Sequence, residues 1–318
     1  MLLNRRDYFK PFEYPWAYEA YKTQTLIHWV PSEVPMAEDV ADWKHKLTVG
    51  EKNLLTQLFR FFTQADIDVA HGYNKWFIPL FKGKPEIAMM LNQFAAMEAI
   101  HIDAYSTLIE TLGIPEVEYQ AFVEYKQMAD KHNYLKELDL DKEKDLCKLL
   151  AIYSAFTEGL QLFSSFAVLL NFSRFGLMKG MGQIVSWSIR DESLHVESMI
   201  KLYHTFKQEY AVKNLDTFIY NSLVEMVKLE EKFIDLCFEE AGDIRGLTKE
   251  EVLLYIKFLG NRRLEQLGLK PFYPEALENP FPWIDWLTTG VEHANFFEAT
   301  ATEYSKGSVT GNEGDIVW

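Results

Sequence analysis

The chain has 318 residues, 48% of them hydrophobic, enough for one large domain with a substantial core. Its formal net charge of −15 makes a surface that repels phosphate backbones, so nucleic-acid binding is not expected. Two cysteines form no CxxC pair, no run reaches the ~20 apolar residues of a membrane span, and no apolar stretch follows the basic start MLLNRRDYFK. A cytoplasmic protein with buried thiols at Cys147 and Cys237, and with no membrane contact, is expected.

Residues 1–37 mix aromatics, prolines and charges without helical period and predict an irregular N-terminal arm. The next segment, Val49 to about Phe77, puts Leu54, Leu55, Leu58, Phe62, Asp66 and Ala70 on one helix face. After KGK a helix is predicted from Pro85, a residue suited to a first turn, to about Thr111, with Gly113 as its stop. A shorter helix follows Pro115. Further helices are predicted over about 143–170, 177–210, 216–240 and 248–264, the last opening on a Thr248–Glu251 capping box. No strand alternation and no internal repeat is visible. The prediction is an all-α bundle over residues 38–297, with helices longer than average. From residue 298 the stretch EATATEYSKGSVTGNEGDIVW is small, polar and glycine-rich but ends in Ile316, Val317 and Trp318, which reads as a mobile tail with a docking tip.

Two Glu-x-x-His units stand out: Glu98–His101 in MEAIHIDAY and Glu192–His195 in RDESLHVES. Residues three apart share a helix face, so each unit aims one carboxylate and one imidazole at one point. One such pair arises easily by chance among eight histidines; two on separate helices, each in an apolar flank, do not. Two divalent cations in an apolar core need about four negative charges to offset desolvation. The remaining long helices each offer a lone acid on the apolar face: Glu158 in YSAFTEGLQLF and Asp66 in FTQADIDVA. Neither has Lys or Arg four residues away. Asp68 competes with Asp66, which shares the face of Phe62 and Leu58 while Asp68 turns away. One acid from each of two helices plus Glu-x-x-His from two others is the ligand set of ferritin-like di-iron and di-manganese bundles. Hard oxygen donors with two imidazoles suit iron or manganese. Tyr105, four residues after His101, lies beside this site.

Taken together, EAIHIDAY, TEGLQLFSSF, RDESLHVES, HWVPSEV near the start and NFFEATATEY near the end resemble the small, radical-generating subunit of class I ribonucleotide reductase, over residues 10–318. The resemblance implies a ferritin-like fold. It implies that Asp66, Glu98 and His101 bind one metal and Glu158, Glu192 and His195 the other, the pair being iron with manganese possible. It further implies that Tyr105 is the residue oxidised to a radical, that Trp29 and Asp191 form the electron path past His101, and that Tyr304 passes the radical onward. The implied partners are a large catalytic subunit, which reduces ribonucleotides and is docked through the C-terminal peptide, and a second copy of this chain. Two positions depart from the pattern: Leu162, where Phe is frequent, and Ser188, where an aliphatic residue is frequent. A di-iron oxygenase or desaturase on the same fold is the alternative, but it needs neither a tyrosine at His+4 nor an isolated tail tyrosine.

Overall fold

The computed structural model describes residues 1–284 except 122–123, 139, 141–144, 240 and 243. The expected all-α architecture is observed. The helices are α1 (Pro15–Leu26), α2 (Ala37–His45), α3 (Val49–Gly72), α4 (Ile78–Phe81), α5 (Pro85–Leu112), α6 (Val117–Ala121), α7 (Lys126–Glu137), α8 (Leu146–Ile152), α9 (Phe163–Arg174), α10 (Lys179–Glu209), α11 (Leu215–Glu239) and α12 (Lys249–Gln266). Two π-helical segments interrupt them: Tyr73–Phe77 joins α3 to α4, and Tyr153–Leu162 joins α8 to α9. Among the described residues the one β-type pairing is an isolated bridge between Ile244 and Leu247.

Four helical stretches enclose the core: α3, α5, α10 and the α8–π–α9 stretch. α3 packs along α5, and α10 packs against α9 and the π segment before it. α11 and α12 pack on each other and cover the α8–α9 side, while α1 lies along α5. Local chemistry sets where the central helices begin and end. α3 starts at a capping box: Thr48 Oγ1 accepts from Glu51 N at 3.1 Å, and Glu51 Oε2 accepts from Thr48 N at 2.9 Å. α5 starts at Pro85 and stops at Gly113, whose φ of 73° is the left-handed conformation that glycine adopts without strain. The predicted capping box at Thr248 is present at the start of α12.

The start of α10 is capped from outside. Asp39 of α2 accepts from Gly180 N and Met181 N at 2.8 and 2.9 Å, and Asp42 accepts from Met178 N at 2.9 Å. Carboxylates at a helix N-terminus satisfy its unpaired N–H groups and its dipole. Burial pushes the Asp39 pKa up. At Asp42 burial also works upward, but Lys46 and the Met178 N–H outweigh it and hold the carboxyl below its usual range.

Several features depart from the sequence expectation: α2 and α7 were not predicted, and the helix expected from Val49 to about Phe77 stops at Gly72 and continues as a π segment. The stretch predicted as irregular contains α1, whose buried face is Ala17, Ala20 and Gln24, too small and polar to show an apolar period. The helix predicted over 143–170 is divided by a ten-residue π segment and runs on to Arg174. Ahead of α1, Arg6 is buried in an ion pair with Glu86 of α5, and Glu86 also accepts from the Glu13 and Tyr14 backbone N–H groups at 3.0 and 3.1 Å. Phe281–Ile284 are the described part of a second unit and form one turn, closed by Ile284 N on Phe281 O at 3.0 Å. Among the described residues no helix is long and apolar enough to cross a membrane.

Candidate metal centre

The regular α-geometry of α5 and α10 carries the two Glu-x-x-His units to one level of the bundle. Asp66 comes from the last third of α3, and Glu158 from the middle of the long π segment. None of the six side chains is more than 2% exposed. Glu98, Glu158, Glu192 and His195 each bring one donor atom to within 4.8 Å of the others. His195 Nδ1 lies 3.1 Å from Glu98 Oε1 and 3.5 Å from Glu192 Oε2. His101 Nδ1 lies 3.2 Å from Glu192 Oε1 and 3.4 Å from Glu98 Oε2. Each of the two glutamates therefore reaches both imidazoles.

These close approaches gather potential donor atoms at one point. Asp66 Oδ2, Glu158 Oε2, both oxygens of Glu98 and Glu192 and both nitrogens of His195 are buried without a hydrogen-bond partner among the described residues. Orphaned polar atoms are costly in a protein interior, and four carboxylates sharing one pocket are costlier still. Burial, followed by the neighbouring Glu98 carboxylate, raises the Asp66 pKa well above its ordinary value; burial, followed by Glu192, does the same for Glu158. Among the described residues no Lys or Arg pairs with these carboxylates. Cations bound by the orphaned atoms would remove both costs, and the oxygen-rich donor set with imidazoles fits hard or borderline divalent metals.

One side of the cluster is polar. His101 Nε2 is 3.2 Å from Asp191 Oδ2, and the same oxygen accepts from Trp29 Nε1 at 2.8 Å. Arg190 holds Asp191 Oδ1 at 3.2 Å and donates to the Ile27 carbonyl at 2.6 Å, which ties the strap before Trp29 to α10. Burial opposes charge on Asp191, but His101 and Arg190 prevail and its pKa is lowered. Burial also opposes charge on His101, yet Asp191, Glu192 and Glu98 raise its pKa well above the usual value.

The other side is dry. Tyr105 is buried, and its ring stacks on Phe62 at 4.8 Å; Phe62 in turn stacks on Phe166 at 4.9 Å. Among the described residues the Tyr105 hydroxyl has no hydrogen-bond partner in ordinary geometry, although Ser188 is near enough to influence it. Burial, then the Asp66 charge, raises the Tyr105 pKa well above 10, so the phenol keeps its proton at neutral pH.

Comparison with known proteins places this arrangement. The family model "Ribonucleotide reductase, small chain" matches residues 6–280. The chain belongs to the ribonucleotide reductase small-chain family. It is 44% identical to a probable ribonucleoside-diphosphate reductase small subunit of Invertebrate iridescent virus 3, over 98% of this chain and 87% of that protein. It is 31% identical to the ribonucleoside-diphosphate reductase subunit beta of Chlamydia pneumoniae, over 92% and 88%. Among solved structures, the R2 subunit of Clostridium botulinum superposes with a TM-score of 0.76 at 25% identity, covering 87% of this chain and 89% of that one. Streptococcus sanguinis dimanganese(II)-NrdF shares the fold with a TM-score of 0.77 at 20% identity, covering 90% and 98%.

Within this reductase small subunit, the cluster is a buried di-metal carboxylate site. Asp68, the competitor of Asp66, lies outside it and faces His132 and Lys136. Tyr304 and the C-terminal peptide fall outside the described residues. Two neighbours of the site were not singled out from the sequence. Tyr73 donates its hydroxyl to Glu158 Oε1, and Trp187 places its ring 5.1 Å from that of Trp29. Tyr73 stands seven residues after Asp66, on the same helix face, a spacing that could have flagged it.

Proposed function

We propose that this ribonucleoside-diphosphate reductase small subunit works with the large subunit of that enzyme by holding an oxidising equivalent on Tyr105. The observation that carries this reading is the position of a dry, stacked, protonated tyrosine beside a cluster of orphaned buried ligands. Asp66, Glu98 and His101 would hold one metal and Glu158, Glu192 and His195 the other. Two iron ions, with manganese as the alternative, would supply one-electron oxidising power from oxygen when bound there. Tyr105 gives up one electron and its hydroxyl proton, and Phe62, Phe166 and Leu162 keep water and reductants from the resulting radical. Asp191 orients His101 through Nε2 and joins it to Trp29, so that Trp29, Asp191 and His101 form a route for electrons to or from the centre. Tyr304 extends that route towards the large subunit, with the C-terminal residues as the docking peptide and a homodimer as the working form. The domain division that goes with this reading is an arm over 1–37, the metal-binding body over 38–297 and the tail over 298–318, in a cytoplasmic protein.

The test is electron paramagnetic resonance of the metal-loaded, oxygen-exposed protein. A tyrosyl signal is expected in the wild type and its absence in Tyr105→Phe; an unchanged signal in that variant would refute the assignment. Removing the chain from Glu303 onward is expected to leave metal binding intact and to abolish turnover with the large subunit. Unchanged turnover would remove the tail from the scheme.

A further inference from the structure

We propose that Tyr73 is a positioning residue of the metal centre: its hydroxyl engages Oε1 of Glu158, so that Glu158 meets metal through Oε2 alone. The inference rests on Glu158 being a ligand. Glu98 and Glu192 have both carboxylate oxygens without hydrogen bonds, whereas Glu158 has Oε1 taken by the Tyr73 hydroxyl and only Oε2 left buried and unpartnered. A phenol hydrogen bond to a carboxylate is charge-assisted and among the strong ones in a dry interior. An oxygen that accepts such a bond is the poorer metal donor of the two, which leaves the unpartnered Oε2 as the preferred ligand atom.

Tyr73 is itself rigidly held. Its ring meets Tyr153 edge-on at 5.3 Å, Phe94 at 6.1 Å and Phe77 at 6.4 Å, and it is completely buried. Tyr153 spends its own hydroxyl on the Val69 carbonyl, so it supports Tyr73 by packing and makes no bond to Glu158. Gly72 leaves room for this pair: a Cβ there would come 2.4 Å from the Tyr153 ring. Tyr73 opens one π segment, and Glu158 sits inside the other, which Tyr153 opens. Widened turns of this kind re-aim side chains and are frequent at functional sites. The backbone at Glu158 is fixed as well, since Arg263 Nε donates to the Gly159 carbonyl at 2.7 Å. Side chain and main chain of this ligand are thus both anchored from outside the cluster.

The test compares Tyr73→Phe with Tyr153→Phe in the full chain. Each removes one buried hydroxyl and keeps the ring, but only the first touches Glu158. Manganese(II) is titrated into the metal-free proteins by calorimetry, and infrared difference spectra record the carboxylate bands on binding. Thermal melts of the metal-free variants establish that both are folded. Tyr73→Phe is expected to weaken manganese binding by about 10-fold or more, the usual scale for loss of a group that orients a ligand. Its carboxylate band splitting should narrow as the freed Glu158 binds through both oxygens. Tyr153→Phe should bind like the wild type with unchanged bands. Equal affinity and bands in Tyr73→Phe, or an equal loss in Tyr153→Phe, would overturn the role assigned to the Tyr73 hydroxyl. Failure of the wild type to bind manganese would overturn the ligand assignment beneath it, an outcome distinct from the other two.

Discussion

The two flanks of the metal centre are built on opposite principles. On the Trp29 side the Trp29 indole N–H, both Asp191 oxygens, the Arg190 guanidinium and the Ile27 carbonyl are joined in one hydrogen-bonded chain that ends on His101. On the Tyr105 side no such chain is found among the described residues: three rings are stacked there, and the Tyr105 hydroxyl has Ser188 as its polar neighbour. A hydrogen-bonded chain in a low-dielectric interior fixes distances and polarises its members, which suits the movement of charge. A dry pocket gives a reactive side chain nothing to react with, which suits storage. The same four helical stretches supply both, because α5 and α10 present His101 and Asp191 on one side, and α3, α5 and α9 present Phe62, Tyr105 and Phe166 on the other.

The contrast can be broken from the dry side first. Phe62→Ala removes the ring that touches both Tyr105 and Phe166. The expected cost is about 3–5 kcal/mol of unfolding free energy, as for other buried Phe truncations. The proposed Tyr105 radical should also decay faster, because the cavity admits water and small reductants. Denaturant unfolding checks the first effect and the decay of the resonance signal the second. A variant that lost stability but kept the radical lifetime would show that the stack serves packing alone.

The polar side should respond differently. Asp191→Asn keeps the shape but removes the charge that orients His101. Metal affinity is expected to fall about 10–100-fold, with a smaller loss of stability than in Phe62→Ala. Titration of the metal-free protein measures this. If affinity held, Asp191 would belong to the electron route only.

The difference between the flanks also explains what could be read from the sequence. Glu98, His101, Glu192 and His195 were legible because regular helices turn a three-residue spacing into a shared face. Glu158 was legible as a lone acid among apolar neighbours, but the π segment around it was not, since a widened backbone ladder leaves no pattern in residue types. Tyr73 was one of sixteen tyrosines, and its partner lies 85 residues away. Likewise, the Trp29–Asp191 bond spans 162 residues and entered the reading only through family resemblance. Helix α1 was missed because it buries Ala and Gln, which carry no hydrophobic period.

The smallest expected effect lies at the entry to α10, away from both flanks. Asp42 caps that helix through Met178 N and pairs with Lys46 at 2.6 Å. Its folded pKa is depressed, so its contribution is present above the ordinary carboxylate pKa of about 4 and is lost as pH falls through the lower folded value. Lys46 is largely exposed, so solvent screens that pair and the backbone bond carries most of the effect. Asp42→Asn should cost about 1–2 kcal/mol at neutral pH, the scale of a hydrogen bond to a charged group. It should cost progressively less as pH drops below 4, because the wild type loses the same charge. Urea titrations from pH 7 to pH 3 would show the two proteins converging. A constant gap would mean that the cap works through shape and not charge. The start of α10 could then tolerate neutral caps without disturbing Glu192 and His195, which flank its midpoint.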